Sequence, residues 1–171
     1  MAGNRSESAA GPSLDSPAVI GVVDYRAGNA PSVMFALARL GLDARLVADA
    51  AGLDAVDRII LPGVGAARAT IDSLAESGLV DPLRRRALDE GVPFLGICLG
   101  LQVLFDASEE DPSCRGLGVF PGRVRRFADT PGLKIPHMGW NQTRRGPART
   151  DVLSTTPDGA FFYFVHSYYA V

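Results

Sequence analysis

Short apolar runs alternate with amphipathic stretches along the first hundred residues. Residues 19–23 are all apolar or glycine, which is typical of a parallel strand buried on both faces. Apolar side chains then recur at i, i+3, i+4 and i+7 from Val33, and Gly41 ends that helical stretch. Asn29 is a plausible N-cap of this helix, and Pro31 suits its first turn.

The same rhythm continues to about residue 105. It predicts further strands at 44–47, 58–61 and 93–97, and helical stretches at about 66–77, 79–90 and 99–105. Strands and helices in alternation are connected most simply as parallel strands with crossover helices. The pattern therefore predicts an α/β fold with a mostly parallel open sheet and helices on both faces.

The rhythm changes after about residue 107. Short β-like pieces at 118–127 and 161–165 lie between turns rich in Gly and Pro, which predicts an antiparallel β extension of the core. The last strand reaches Val171 without a following helix, so we expect the C-terminal part of the fold to be missing. Residues 1–17 are small and polar, and we expect a disordered extension before one domain at 18–171.

Length, charge and hydropathy exclude several classes of protein. A chain of 171 residues, 47% of them hydrophobic, suits one domain with a substantial core. A net charge of −2 gives no reason to expect nucleic acid or an anionic membrane as partner, and no apolar run approaches the roughly 20 residues of a membrane span. Gly-x-Gly-x-x-Gly and Walker patterns are absent from the sequence. We expect a cytoplasmic protein without cofactor or metal.

The most informative motif is Gly-Ile-Cys-Leu-Gly at residues 96–100, where a predicted buried strand meets a predicted helix. This is the nucleophile-elbow arrangement with Cys98 as the nucleophile. Gly96 and Gly100 leave room for the sharp turn, and a helix N-terminus favours the thiolate form of a cysteine. The alternative is a buried structural cysteine, which does not account for glycines at both −2 and +2.

Two other features carry weaker signals. Cys114 lies in the acidic loop 109–116, where like charge would raise a thiol pKa, so we interpret it as incidental. Residues 62–65, Pro-Gly-Val-Gly, follow a strand at the edge where α/β sheets bind ligands. Their backbone N–H groups, with that of Leu99, could hold an oxyanion, although a plain turn would also explain them.

Two aromatic segments are open to more than one interpretation. Residues 134–141 contain the only Lys, the only Trp and one of the two His residues, so Trp140 is either an interface anchor or a core residue beside a turn. Residues 161–169 are apolar and aromatic, which favours a core strand. His166 in that segment is either a satisfied structural histidine or a base.

Taken together, these segments resemble the class I glutamine amidotransferases, and among them the glutaminase subunits of imidazole glycerol phosphate synthases of histidine biosynthesis. The resemblance covers about residues 19–171. Its motifs are at 24–29, 61–65, 93–102, 116–118, 134–141 and 163–168. A cysteine hydrolase or redox protein would fit the elbow alone, but it would leave residues 134–141 unexplained.

The resemblance implies a reaction and a set of roles. Cys98 would attack the side-chain amide of glutamine, release ammonia and form a thioester that water hydrolyses to glutamate. Ammonia would pass to a cyclase subunit, a (β/α)₈ barrel, within a heterodimer. The implied oxyanion donors are Gly63, Val64 and Leu99. The implied glutamine contacts are Gly65, Gln102, Ser167 and Tyr168. The implied interface residues are Asn29, Met138, Trp140, Asn141 and Tyr163.

One departure from the family pattern affects activity. The family's catalytic His and Glu come from a Phe-His-Pro-Glu-like segment that does not occur in these 171 residues, and His137 and His166 match other segments. A cysteine nucleophile without its base loses much of its catalytic power. We therefore expect this polypeptide to be a poor glutaminase or none. The alternative function is an inactive module that binds the partner.

Overall fold

The computed structural model describes residues 18–146 and 153–171. The expected disordered extension at 1–17 lies outside these residues. The strands are β1 (Ile20–Val23), β2 (Ala44–Val47), β3 (Arg58–Gly63), β4 (Phe94–Cys98), β5 (Phe105–Ser108), β6 (Phe120–Arg126), β7 (His137–Gln142), β8 (Phe161–His166) and β9 (Tyr168–Ala170). The helices are α1 (Ala30–Arg39), α2 (Ala50–Asp54), α3 (Ala67–Glu76), α4 (Val80–Arg84) and α5 (Leu99–Gln102), with a π-helical turn at Arg85–Asp89.

The first four strands form the predicted parallel sheet, in the order β2-β1-β3-β4. Helices cover both of its faces, as predicted. On one face, Ile20, Val22 and Ile60 pack against Ala30 and Leu37 of α1. The other face carries the larger core, to which α2, α3, α4 and α5 contribute leucines: Leu53, Leu74, Leu83 and Leu99.

The prediction of β4 as a buried strand is wrong for one of its faces. Phe94 packs against the larger core, but Leu95 is 49% exposed and Ile97 is 37% exposed. Leu95 pairs with Ile60 in the parallel register, so it lies on the face that α1 covers elsewhere. Within the described part of the chain, α1 packs over β1 and β2, and its cover does not extend to β4.

The second half forms two smaller sheets. One has the order β5-β6-β9 and the other pairs β7 with β8. The β7–β8 and β6–β9 pairs are antiparallel, as expected for the extension, but β5 and β6 run parallel. The sequence also gave no sign of α2, a single turn that Asp49 caps by accepting a hydrogen bond from the N–H of Gly52.

Asn29 does precede α1 as its N-cap residue, with Pro31 in the first turn, but its side chain makes no capping hydrogen bond. Among the residues that the structure describes, no helix has the length and apolar character needed to cross a membrane. The same residues contain no group of three or more His, Cys, Asp or Glu side chains arranged to hold a metal ion.

Candidate active site

Cys98 occupies a sharp turn at the end of β4. Its backbone has φ 56° and ψ −117°, and Cys98 is one of two described non-glycine residues with positive φ. A residue with a Cβ reaches this region only at a cost, so the surrounding structure must hold it there. The nucleophile elbow that the Gly-x-Cys-x-Gly motif predicts is therefore present in the fold.

The two flanking glycines make this turn possible. A Cβ on Gly96 would lie 2.5 Å from the Cα of Leu101, and a Cβ on Gly100 would overlap the carbonyl oxygen of Leu61. The first turn of α5 thus packs directly on the backbones of β3 and β4. Any side chain at either position would push the cysteine out of the turn.

Helix α5 is shorter than the sequence suggested. The pattern predicted a helix over 99–105, but α5 ends at Gln102 and β5 begins at Phe105. A single turn carries a small macrodipole, and the cysteine at its N-terminus is half-buried.

A cavity of about 270 Å³ opens next to the cysteine. It brings together Cys98 with two of the predicted substrate residues, Gln102 and Tyr168. The remaining lining is mainly aromatic and includes both histidines: Leu101, Phe127, His137, Phe164, His166, Tyr169 and Ala170. A cavity of this size suits a small amino-acid-sized ligand and leaves the thiol accessible.

Gln102 connects α5 to the β8–β9 turn. Its amide nitrogen lies 3.2 Å from Nδ1 of His166 and 3.4 Å from the carbonyl oxygen of Tyr168. The carbonyl can only accept, so the Gln102 nitrogen donates and Nδ1 of His166 accepts. This leaves the Oε1 atom of Gln102 available as an acceptor for a ligand. Burial lowers the pKa of His166, and the nearby His137 lowers it further.

The segment 62–65, here called the oxyanion loop, lies against the elbow. The sequence predicted that it follows the strand, but its first two residues, Pro62 and Gly63, are the last two of β3. Gly63 pairs with Cys98 across β3 and β4, and a Cβ on Gly63 would lie 2.8 Å from the carbonyl carbon of Leu99. Gly63 and Leu99 are therefore brought together beside the nucleophile. Val64 is exposed, and Gly65 has φ 90°.

Two predicted glutamine contacts are not part of the cavity wall. Gly65 and Ser167 do not line the cavity that contains Cys98. Ser167 lies between β8 and β9, where its carbonyl oxygen accepts a hydrogen bond from the N–H of Phe127. Their roles as glutamine contacts stay predictions.

The β7–β8 pair has two different faces, because successive strand residues point to opposite sides. His137 pairs with His166, and both line the cavity with Phe164. The sequence pattern did not predict these three residues at the cavity, although alternation along two paired strands could have grouped them. Asn141 lies on this side as well, with its amide nitrogen 3.4 Å from Nε2 of His137.

The opposite face of β7–β8 is exposed and apolar. Trp140 is 70% exposed and Met138 is 62% exposed, and Trp140 meets the ring of Tyr163 edge to face at 5.7 Å. The core alternative for Trp140 is therefore wrong. The interpretation of residues 161–169 as a core strand is also wrong, because Phe161, Tyr163 and Val165 are exposed.

Cys114 has a different environment from Cys98. It is buried, and burial is the main cause that raises the pKa of its thiol. The charge of Arg68 lowers this pKa by less, and Asp111, Asp72 and Glu110 raise it slightly. The sequence predicted the direction of this shift but assigned it to like charge in a polar loop. Its sulfur lies 3.8 Å from the carbonyl oxygen of Arg115 and outside the cavity that contains Cys98.

Comparisons with known proteins give relatives along nearly the whole described chain. The imidazole glycerol phosphate synthase subunit HisH of Desulfitobacterium hafniense (strain Y51) is 51% identical over 152 residues, which are 88% of this chain and 70% of the relative. The protein of the same name from Synechococcus sp. (strain JA-3-3Ab) is 46% identical, over 89% of this chain and 69% of the relative.

Solved structures give the same fold. The crystal structure of a glutamine amidotransferase matches with a TM-score of 0.55 and 30% identity, over 63% of this chain and 56% of the other. A glutamine amidotransferase from Thermotoga maritima matches with a TM-score of 0.59 over 91% of this chain and 63% of the other, at 16% identity. The family model "Glutamine amidotransferase class-I" matches residues 22–171. The chain therefore belongs to the class I glutamine amidotransferase family.

Proposed function

We propose that this protein is the glutaminase subunit of an imidazole glycerol phosphate synthase, working in the cytoplasm with a cyclase subunit. The observation that carries the proposal is a cysteine on a strained elbow that opens to a cavity of about 270 Å³. The sequence of the chain is also 51% identical to a HisH subunit. The matched segments cover 70% and 69% of the two relatives described above.

The first step is attack by Sγ of Cys98 on the side-chain amide carbon of glutamine. A C–S bond forms, and the carbonyl oxygen becomes a tetrahedral oxyanion. The N–H groups of Gly63, Val64 and Leu99 would hold that charge, and preorganised donors of this kind commonly contribute about 3–4 kcal/mol each to the transition state. The contact of Gly63 with Leu99 beside the sulfur supports this assignment.

The C–N bond then breaks and ammonia leaves with the proton that the Cys98 thiol gives up, so a γ-glutamyl thioester remains on Cys98. Water adds to the thioester, the C–S bond breaks, and glutamate and the free thiol are released. Gln102 supports substrate binding, because both donors of its amide are used by His166 and Tyr168 and its oxygen remains free to accept from the substrate's ammonium group. Gly65, Ser167 and Tyr168 complete the proposed glutamine site.

Ammonia would pass to the cyclase subunit, which we propose to be a (β/α)₈ barrel bound as a heterodimer. The exposed apolar face with Met138, Trp140 and Tyr163 supports an interface there, because Trp and Met are enriched at binding interfaces. Asn29 and Asn141 belong to the same proposed interface, with Asn141 reaching it from the cavity side of β7.

Cysteine substitutions test the proposal directly. A glutamine analogue with an electrophilic γ-carbon is incubated with the protein, and the adduct is mapped by mass spectrometry. We expect one adduct, at Cys98, which Cys98→Ala removes and Cys114→Ala leaves in place. Glutamine hydrolysis with a cyclase subunit present should depend on Cys98 in the same way. Labelling at Cys114 would contradict the proposal, and labelling at Cys98 without turnover would favour the inactive-module alternative.

A further inference from the structure

The proposed mechanism gives no part to Tyr25, a fully buried residue two positions after β1. Its hydroxyl donates a hydrogen bond of 2.9 Å to the carbonyl oxygen of Pro62. Pro62 is the first residue of the oxyanion loop, which places this buried polar contact between two elements at the active-site edge of the sheet. A hydrogen bond in such a place is strengthened by its low-dielectric surroundings.

Gly28 closes over this hydrogen bond. Its φ is 81°, and a Cβ at this position would lie 3.0 Å from the hydroxyl oxygen of Tyr25 and 3.2 Å from the carbonyl oxygen of Pro62. The backbone of the segment that leads to α1 thus lies directly on the contact. Little space is left for a water molecule to replace the hydroxyl.

The contact also lies near the nucleophile. Burial is the main cause that raises the pKa of Tyr25, so its hydroxyl stays protonated and able to donate at neutral pH. The side chain of Thr70 on α3 lowers this pKa by less than burial raises it, and charge on Cys98 raises it by a smaller amount, so the phenol is within electrostatic reach of the sulfur.

Because the peptide bond is planar, the hydrogen bond from Tyr25 to Pro62 also affects the next residue, Gly63. The carbonyl of Pro62 and the N–H of Gly63 belong to one rigid peptide unit and point in opposite directions. A donor that fixes the direction of the Pro62 carbonyl therefore fixes the direction of the Gly63 N–H. It also fixes the point from which the chain turns towards Val64.

We propose that Tyr25 is a positioning residue that orients the oxyanion loop by holding the first peptide plane of that loop through the Pro62 carbonyl. This inference rests on the proposed function, because it assumes that the loop's N–H groups receive the oxyanion. Tyr25 itself does not line the cavity that contains Cys98.

The test is Tyr25→Phe, which keeps the buried ring and removes only the donor. A γ-glutamyl nitrophenyl ester can acylate a cysteine without protonation of its leaving group, because nitrophenolate is a stable anion. The initial burst of nitrophenolate release therefore reports the oxyanion step alone. We expect the burst rate constant to fall by about 10-fold, part of the roughly 100-fold or greater loss seen when an oxyanion donor is removed outright. The Kd of the ester should change much less.

Two further measurements separate positioning from a general defect. Alkylation of Cys98 by iodoacetamide forms no oxyanion, so its rate should be the same in Tyr25→Phe as in the unsubstituted protein. Amide hydrogen exchange should become about 10-fold faster at Gly63, Val64 and Gly65 while α4 is unchanged, because an opening of the loop alone raises exchange only there.

The outcomes distinguish this inference from the proposed function. In one outcome, Cys98→Ala removes the burst, but Tyr25→Phe changes neither the burst rate constant nor hydrogen exchange in the loop. That result would overturn the role of Tyr25 and leave the glutaminase assignment unchanged. Absence of a Cys98-dependent burst in the unsubstituted protein counts against the proposed function. In that case loop exchange alone decides the inference: faster exchange in Tyr25→Phe supports it, and unchanged exchange overturns it.

Discussion

At the scale of single residues, backbone geometry and burial separate the two cysteines by role. Cys98 sits at positive φ beside a cavity, whereas Cys114 is buried away from it. His166 faces the cavity with Nδ1 accepting a hydrogen bond from Gln102, so its neutral form is the one that fits this site. Protonation would place an N–H opposite the amide nitrogen and weaken the contact.

The lowered pKa of His166 predicts a pH dependence of stability. Burial lowers the pKa of His166 below its ordinary value of 6.5. At neutral pH the folded and unfolded chains both carry a neutral histidine. Below pH 6.5 the unfolded chain takes up a proton that the folded chain does not, so the free energy of unfolding falls until the pH reaches the folded pKa.

Urea denaturation at pH 7.5 and 5.5 checks this expectation, with His166→Asn as the comparison. Asn has no proton to take up in this range, and its side-chain oxygen can still accept from Gln102. We expect the variant to lose less stability between the two pH values than the unsubstituted protein. Equal losses in the two proteins would mean that His166 titrates normally in the folded state.

At the scale of elements, α3 illustrates how a distant segment completes a helix. Its N-cap residue, Ala66, provides no side-chain cap, but the carboxylate of Glu110 accepts a hydrogen bond of 2.9 Å from the N–H of Ala67. Arg68 in the same turn pairs with Asp111 at 2.9 Å, and this contact holds the pKa of Asp111 well below its usual range. The acidic loop thus anchors the helix that follows the oxyanion loop.

Glu110→Ala should lower the free energy of unfolding by about 1 kcal/mol, the usual cost of losing a helix N-cap. Glu110→Gln is the matched control, because the amide oxygen can still accept from Ala67 while the charge near the helix N-terminus is lost. Chemical denaturation at pH 7 measures both variants, and we expect Gln to retain more stability than Ala. The same loss in both would indicate that charge rather than the hydrogen bond is responsible.

At the scale of the whole molecule, the two faces of β7–β8 separate catalysis from the proposed partner contact. One face turns His137 and His166 towards Cys98, and the other exposes Met138, Trp140 and Tyr163. An exposed apolar group of this kind suits a protein interface, since monomeric proteins seldom leave large apolar patches open. A subunit bound to the exposed face would therefore be separated from the cavity only by the β7–β8 pair.

Trp140→Ala should weaken binding of the cyclase subunit by about 2 kcal/mol or more, which is roughly a 30-fold rise in Kd, as for an aromatic hot spot. Because Trp140 is 70% exposed, thermal stability of the free protein should change little. Phe35→Ala is the matched control, an aromatic residue on α1 that is 73% exposed. Titration calorimetry that gave equal effects for both variants would refute an interface at Trp140.

The chain's own pattern was sufficient for the first half of the fold and for the nucleophile. Apolar runs and helical spacing are local properties, so β1, β2, β3, β4 and α1 lie within one or two residues of the predicted positions. Gly96 and Gly100 signal the elbow because no larger residue fits at either place. The parallel sheet and Cys98 as the candidate nucleophile followed from these features.

Contacts between distant segments could be decided only by the tertiary structure. Whether Leu95 and Trp140 are exposed depends on what packs over them, which hydrophobicity alone does not state. The hydrogen bonds of Tyr25 with Pro62 and of Gln102 with His166 join residues 37 and 64 positions apart. The first pair forms because a crossover connection brings the ends of β1 and β3 to one edge of the parallel sheet, and the second because the separate β7–β8 pair lies against α5. No local pattern in the sequence records either meeting.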